Sequence, residues 1–230
     1  MNLENLINLF FPKRCLTCDE TLQESEKLLC IRCLHDLPLA NYTSVEGNQI
    51  EKSFYGRIPL TAATALLLYS KNSKVQQLIH QLKYKGFEEI GTYLGDWLGE
   101  ELVKSGRFKS IDMVIPVPLH PKKLKIRGYN QVEKFGKSLA KQLDAKYVDD
   151  KLIKITSTES QTHKHRSERI LNVNEIFVLA DNECFIDKHL LLIDDIITTG
   201  ATLESCCREL LKVKGVKISI ATMAATLLKN

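Results

Sequence analysis

Apolar runs without polar alternation are the most regular feature of the chain. Four of these runs contain mainly Leu, Ile, Val and Ala, and they cover residues 62–69, 112–118, 189–195 and 216–225. A strand with one solvated face alternates apolar and polar residues, so a continuous apolar run predicts a strand that is buried on both faces. Two shorter segments, at 147–155 and 175–180, are further strand candidates that flank a polar stretch.

Apolar residues between these runs recur with the period of a helix. The spacing of three and four residues begins at Val75, Ile90, Val132 and Leu203, and it predicts four helices. Helices that alternate with buried strands predict an α/β fold with a mainly parallel sheet and helices on both faces. Ligands of such sheets bind beyond the carboxyl ends of the strands.

The N-terminal region contains a cluster of four cysteines. Cys15 and Cys18 form one C-x2-C pair, and Cys30 and Cys33 form a second pair further along the chain. Two such pairs can direct four thiolates to one zinc ion, and a closed four-sulfur site is structural because a catalytic zinc keeps an open position. We therefore predict a zinc ribbon. A redox-active pair or incidental buried cysteines are the alternatives.

This cluster divides the chain into three parts. We predict a zinc-ribbon module over residues 1–38, a linker over 39–60 in which no regular period is visible, and a main domain over 61–230. Cys206 and Cys207 lie at apolar helical positions of the main domain, which favours a place in its core.

Composition and charge are those of a packed globular protein. Of the 230 residues, 44% are hydrophobic and 26% are charged, which argues against a disordered or fibrous chain. The N-terminus lacks the features of a signal peptide, and no segment approaches the roughly 18 apolar residues of a membrane span. We therefore expect a cytoplasmic protein. The net charge of +4 favours contact with phosphate groups but does not require a nucleic acid.

Two adjacent carboxylates end the third apolar run. Asp194 and Asp195 are followed by a small polar loop, which consists of Thr198, Thr199, Gly200, Ala201 and Thr202. The loop precedes a predicted helix, whose amino end favours an anion, and its glycine allows close approach of a ligand. Hydroxyl donors suit a monophosphate, and the paired carboxylates suit the hydroxyls of a ribose. The alternative is that the aspartates only cap the turn.

Several segments carry a resemblance to a known family. They are the paired cysteine motifs, KYKG at 83–86, VIPVPLHPKKLKIRGYNQ at 114–131, QTHKHRSERILNV at 161–173 and LLLIDDIITTGAT at 190–202. The last segment resembles the phosphoribosyl-diphosphate-binding motif of type I phosphoribosyltransferases. The whole set resembles the ComF family, which is associated with DNA uptake in competent bacteria. The resemblance covers most of the chain and implies a type I phosphoribosyltransferase-like fold after the zinc ribbon.

The resemblance also implies roles for individual residues. Asp194 and Asp195 would be the catalytic pair that holds the ribose hydroxyls, with Mg²⁺ nearby, and the loop 198–202 would hold the 5′-phosphate. A lid would lie between the two shorter strand candidates. Basic residues that could contact the diphosphate, or DNA phosphates, are Lys83, Lys85, Arg127, Lys164, Arg166 and Arg169. For any single one of them, a solvated surface position is the alternative.

Two positions depart from related sequences. Thr198 stands where purine-salvage phosphoribosyltransferases typically have an Asp, which argues against hypoxanthine or guanine as the acceptor. His163 and Lys164 stand where ComF relatives often show a glycine and a hydrophobic residue. The acceptor pocket has no recognisable signature.

Two functions are consistent with these features. The first is a Mg²⁺-dependent phosphoribosyltransferase that binds phosphoribosyl diphosphate and has an unidentified acceptor. The second is an accessory protein of DNA uptake that binds single-stranded DNA with the same phosphate loop and basic segments, alongside other DNA-uptake proteins. Tyr84 and Tyr129 are the aromatic residues nearest the basic segments, and a place in the core is the alternative for each.

Overall fold

The structure, a computed structural model, describes residues 12–155 and 176–226. Its centre is a five-stranded sheet in which all neighbouring strands are parallel. The strands are β1 (Ala62–Tyr69), β2 (Met113–Pro116), β3 (Lys146–Tyr147), β6 (His189–Ile197) and β7 (Lys217–Thr226), and their spatial order is β1-β7-β6-β2-β3. A separate antiparallel pair consists of β4 (Leu152–Ile155) and β5 (Ile176–Leu179).

The described residues also form seven α-helices. They are α1 (Ile31–His35), α2 (Gln49–Phe54), α3 (Lys74–Tyr84), α4 (Glu89–Ser105), α5 (Pro121–Arg127), α6 (Glu133–Gln142) and α7 (Ala201–Leu210). The four helices that apolar spacing predicts correspond to α3, α4, α6 and α7, and most of their periodic apolar residues are buried. Ser73 caps α3, since its hydroxyl accepts a hydrogen bond from the backbone N–H of Gln76 at 3.2 Å.

The apolar run before the aspartates supplies both faces of the sheet. Leu191 and Ile193 pack in the core that includes residues of α3, α4 and α6. Leu190 and Leu192 pack in the other core, which includes residues of α2, α7 and the β4–β5 pair. The predicted α/β fold, with a mainly parallel sheet covered on both faces, is therefore confirmed. The run shows no alternation because both of its faces are apolar.

The order of the strands reverses between β2 and β6. The chain leaves β2 through α5 and α6 and continues to β3 on one side, whereas it leaves β6 through α7 and continues to β7 on the other. β2 and β6 are neighbours, with Val114 opposite Leu191 and Pro116 opposite Ile193. Their carboxyl ends therefore meet at one point, and ligands of α/β sheets bind at such a reversal.

Three segments differ from the sequence-based prediction. Residues 147–155 are not one strand: β3 ends early, and after a bend at Asp150 the chain forms β4 outside the main sheet. The segment after β2, for which apolar spacing predicts no helix, forms the short helix α5. Residues 39–60, interpreted as a linker, contain α2, whose Ile50 and Phe54 are buried in the main domain. A helix of six residues is too short to show a period in the sequence.

The N-terminal module packs directly on the main domain. Cys33 lies in the same core as Leu66 of β1. The backbone N–H of Leu68 donates to the carbonyl of Pro38 at 2.8 Å, and the N–H of Ala40 donates to the carbonyl of Leu66 at 2.9 Å. This short antiparallel contact covers the edge of β1. No helix among the described residues has both the length and the apolarity to cross a bilayer.

Candidate functional site

The end of β6, the following loop and the first turn of α7 form one continuous unit. β6 lies between β2 and β7, and Asp194 is opposite Thr222 of β7. Gly200 has a φ of +75° and directly precedes α7. Residues with a side chain are strained in this left-handed conformation, and a Cβ at Gly200 would also lie 2.7 Å from Cζ of Phe54. Backbone conformation and packing therefore both require glycine here.

A small recess of about 50 Å³ lies at this unit. Asp194 and the residues from 196 to 203 line it, and this lining includes the whole predicted phosphate loop. Thr198 and Thr199 are exposed. The amino end of the ten-residue helix α7 adds partial positive charge at the same surface. The recess therefore combines one carboxylate with an environment that favours an anion.

Asp195 is buried and has different surroundings. Its Oδ2 accepts a hydrogen bond from Nε2 of Gln131 at 2.7 Å and forms an ion pair with Nζ of Lys83 at 2.8 Å. Its backbone N–H donates to Oδ1 of Asp194 at 2.8 Å. A buried carboxylate needs such partners, because an unpaired buried charge is strongly destabilising. One aspartate of the pair thus lines the recess, and the other is bound by a lysine and a glutamine.

Gln131 connects this carboxylate to the basic helix α5. Nη1 of Arg127 donates to Oε1 of Gln131 at 2.6 Å, and the guanidinium of Arg127 lies 5.2 Å from the centre of the Tyr84 ring. Tyr84 itself is 62% exposed. The KYKG segment, the segment after β2 and the aspartate motif, which are far apart in the sequence, therefore meet beside Asp195.

The predicted basic residues have different positions. Lys83 is bound to Asp195, and Arg127 is bound to Gln131. Lys85 is exposed immediately after α3. Three others lie outside the described residues: Lys164, Arg166 and Arg169. Contacts of these six residues with a diphosphate or with DNA stay predictions.

Sequence analysis did not single out two residues of this region. Gln131 ends the Arg-Gly-Tyr-Asn-Gln part of a family segment, which is the signal that was available for it. Arg57 lies in the segment interpreted as a linker, where no pattern indicates a role. Its Nη1 donates to the carbonyl of Thr199 at 3.2 Å, and its Nε donates to Oε2 of Glu204 at 2.7 Å.

The four cysteines of the N-terminal module converge in space. Their Sγ atoms all lie within 4.8 Å of one another, and those of Cys18 and Cys30 are 3.6 Å apart. Tetrahedral zinc with bonds of ~2.3 Å to sulfur implies sulfur separations of about 3.8 Å. The thiols of Cys15, Cys30 and Cys33 are buried, as a closed structural site requires, and none of them forms a disulfide. The cluster fits the predicted structural zinc ion.

Comparison with known proteins defines the class of the main domain. Residues 133–228 match the family model of the phosphoribosyl transferase domain, and this region contains α6, β6, the recess and β7. Among solved structures, the chain is similar to adenine phosphoribosyltransferase from Leishmania tarentolae, with a TM-score of 0.40 and 13% identity over 73% of this chain and 93% of that one. The matched domain and the strand order define a phosphoribosyltransferase-like protein.

Two relatives are competence proteins. The chain is 31% identical over 150 residues to competence protein ComFC of Streptococcus pneumoniae, and the match covers 65% of this chain and 62% of that protein, which is less than two thirds of its length. It is 25% identical over 227 residues to competence protein F of Haemophilus influenzae, and this match covers 94% of the chain and 98% of that protein. These relatives, which are named competence proteins, and the matched domain confirm the resemblance to the ComF family found in the sequence.

Proposed function

We propose that the chain binds phosphoribosyl diphosphate with Mg²⁺ at the end of β6 and acts in DNA uptake. The observation that carries the proposal is the recess, where the carboxylate of Asp194 and the loop 198–202 share one surface. The match to the phosphoribosyl transferase domain supports the ligand, and the names of the two competence relatives support the process. The proposal includes a cytoplasmic location.

Each part of this ligand has a chemically suitable group in the site. The loop 198–202 holds the 5′-phosphate, because threonine hydroxyls donate hydrogen bonds and the amino end of α7 favours an anion. Asp194 accepts hydrogen bonds from the ribose hydroxyls, and Asp195 completes the pair from its position against Lys83. Mg²⁺ prefers oxygen ligands, so the Asp194 carboxylate and the diphosphate oxygens would hold it, and it supplies neutralisation of the diphosphate charge.

The proposed reaction is transfer of the phosphoribosyl group. The bond between the anomeric carbon and the diphosphate breaks, and the diphosphate leaves with the bonding electron pair. The acceptor nucleophile forms the new bond and releases its proton to water. Positive charge develops on the ribose during this step, so the nearby carboxylates and the fixed position of the sugar lower the barrier. Thr198 supplies no carboxylate base, so the proposed acceptor is neither hypoxanthine nor guanine.

Calorimetric titration tests the ligand. Phosphoribosyl diphosphate with Mg²⁺ is added to the wild type, to Asp194→Asn/Asp195→Asn and to a control, Glu100→Gln, whose carboxylate pairs with Lys104 on the exposed side of α4. We expect the wild type and the control to bind and the double variant to lose binding while its circular dichroism spectrum is retained. Absence of binding to a folded wild type would refute the proposal.

A second candidate function is binding of single-stranded DNA beside the same site. The observation that favours it is the exposed ring of Tyr84 with the Arg127 guanidinium next to it, because bases stack on such aromatic and arginine surfaces. Lys85, Lys123 and Lys125 are exposed in the same two segments. Tyr129, the other aromatic candidate, is held by a hydrogen bond from its hydroxyl to the carbonyl of Leu82.

Fluorescence anisotropy of a labelled oligothymidine tests this function. We expect Tyr84→Ala to weaken binding by about tenfold, since stacking of one base contributes ~1–3 kcal/mol. Tyr129→Phe is the matched control, because it keeps the ring and removes only the bond to Leu82. Equal affinities of the two variants, or an affinity that does not depend on salt, would contradict DNA binding at this surface.

A further inference from the structure

Residues 53–57 lie directly behind the phosphate loop. The side chain of Phe54 is 1% exposed, and its ring lies so close to Gly200 that a Cβ there would come within 2.7 Å of Cζ. The guanidinium of Arg57 lies 5.5 Å from the centre of the same ring. The segment interpreted as a linker therefore forms the wall against which the loop packs.

Arg57 joins three parts of this wall by hydrogen bonds. Nη1 donates to the carbonyl of Ser53 at 3.0 Å and to the carbonyl of Thr199 at 3.2 Å. Nε donates to Oε2 of Glu204 in the first turn of α7 at 2.7 Å. The other carboxylate oxygen of Glu204 accepts from Arg208, and the hydrogen bonds from Arg208 and Arg57 lower the pKa of this carboxyl. Glu204 is thus ionised at neutral pH and holds the guanidinium in place.

The bond to the Thr199 carbonyl has a consequence for the ligand side of the loop. A trans peptide group is planar and directs its N–H opposite to its C=O. When Arg57 fixes the Thr199 carbonyl, it therefore also fixes the direction of the Gly200 N–H. Arg57 is absent from the residues that line the recess, whereas Thr199 and Gly200 are among them.

We propose that Arg57 is a positioning residue of the phosphate loop, which sets the peptide between Thr199 and Gly200 so that its N–H is directed into the recess. This inference rests on the proposed function for the identity of the anion, a ribose 5-phosphate group. Arg57 does not touch the ligand. It acts through the loop backbone, and the ion pair with Glu204 holds its guanidinium at the correct angle.

The experiment compares Arg57→Gln with Arg208→Gln. Arg208→Gln is the control, because it removes the second guanidinium that pairs with Glu204 and keeps the hydrogen bond from Arg57 to the Thr199 carbonyl. Hydrogen–deuterium exchange of the loop amides is measured in the free protein, and ribose 5-phosphate binding is measured by calorimetry. We expect about tenfold faster loop exchange and about tenfold weaker binding for Arg57→Gln, with both quantities within about twofold of wild type for Arg208→Gln.

Two results would overturn the inference. One is loop exchange in Arg57→Gln that equals that of the wild type, and the other is an equal change in Arg208→Gln. If Arg57→Gln does not fold, Arg57→Lys takes its place in the comparison. The lysine ammonium can keep the ion pair with Glu204, but it cannot also reach the Thr199 carbonyl as the forked guanidinium does. Because loop exchange is measured without ligand, it tests the inference even if phosphoribosyl diphosphate with Mg²⁺ does not bind to the wild type, a result that would refute the proposed function alone.

Discussion

Replacement of Lys83 by Met removes the ion pair that holds Asp195. In the wild type, Nζ of Lys83 lies 2.8 Å from Oδ2 of Asp195, and the two side chains are 20% and 8% exposed. Met keeps most of the apolar stem of the lysine, so the change is mainly electrostatic. After the substitution, the carboxylate retains the hydrogen bond from Gln131 but loses its cation.

The expected cost follows from this burial. Removal of one partner from a fully buried ion pair costs about 3–5 kcal/mol. Because Lys83 is partly exposed and Gln131 remains bound, we expect the free energy of unfolding to fall by about 2 kcal/mol, which shifts the urea midpoint by about 1 M at a slope of about 2 kcal/mol/M. Lys134→Met is the control, since its pair with Glu89 lies on the surface and its loss should leave the midpoint unchanged.

A double-mutant cycle separates the ion pair from other effects of the substitution. Asp195→Asn keeps the shape of the side chain, so in that background Lys83→Met should cost at least about 1 kcal/mol less than in the wild type. Equal costs in the two backgrounds would refute the reasoning, as would a midpoint for Lys83→Met equal to that of Lys134→Met. Titration with phosphoribosyl diphosphate then distinguishes two roles of Lys83. If Lys83 contacts the diphosphate directly, Lys83→Met should weaken binding of this ligand further in the Asp195→Asn background. If Lys83 only positions Asp195, Lys83→Met should cause no further loss of affinity in that background.

Three further predictions concern the zinc module, a buried histidine and a helix contact. Chelation of zinc, or Cys33→Ser, should lower the unfolding temperature of the whole chain, because Cys33 shares a core with β1. Calorimetry measures this temperature, with the metal content determined in parallel. An unchanged main unfolding transition would contradict the prediction. Burial lowers the pKa of His189, so below pH 6.5 the histidine binds a proton more readily in the unfolded state than in the folded state. The free energy of unfolding should therefore decrease as pH falls below 6.5. Urea denaturation at several pH values in this range should show a smaller decrease for His189→Gln than for the wild type. Gly95→Ala would place a Cβ 2.8 Å from a backbone carbonyl oxygen of α6, which should lower the free energy of unfolding by about 1–3 kcal/mol. The nearest atoms to a Cβ at Gly99 belong to the side chain of a glutamine, which can move, so Gly99→Ala should cost less. The urea midpoint of Gly95→Ala should therefore be lower than that of Gly99→Ala.

The unit around the aspartates could be predicted because its local signals agree. An apolar run, a loop of small polar residues and helical spacing from Leu203 follow one another within a short stretch of sequence. The same agreement explains the correct prediction of α3, α4 and α6. Helix α2 also had a local signal, since the side chain of Asn48 accepts hydrogen bonds from the N–H groups of Ile50 and Glu51. One cap without a following period was too little to distinguish this helix from a turn.

Contacts between distant segments had no such signal. Gln131 lies 64 residues from Asp195 in the sequence, and Arg57 lies 142 residues from Thr199. Each contact depends on how helices and strands pack, which a local pattern does not encode. The sequence therefore predicted the strand, the loop and the helix around the aspartates, but not the distant residues that contact them.

Not every basic residue near the site is available for contacts with phosphate groups. Lys83 and Arg57 each have a protein carboxylate as partner, so they shape the site and add little net positive potential to it. Among the residues of the two basic segments whose side chains the structure describes, Lys85, Lys123, Lys125 and Arg127 remain as cations for phosphate contacts. Four contacts with a single strand imply a slope of log affinity against log salt of about −3 at most from these residues. A much steeper slope that persists after their neutralisation would locate DNA binding elsewhere on the chain.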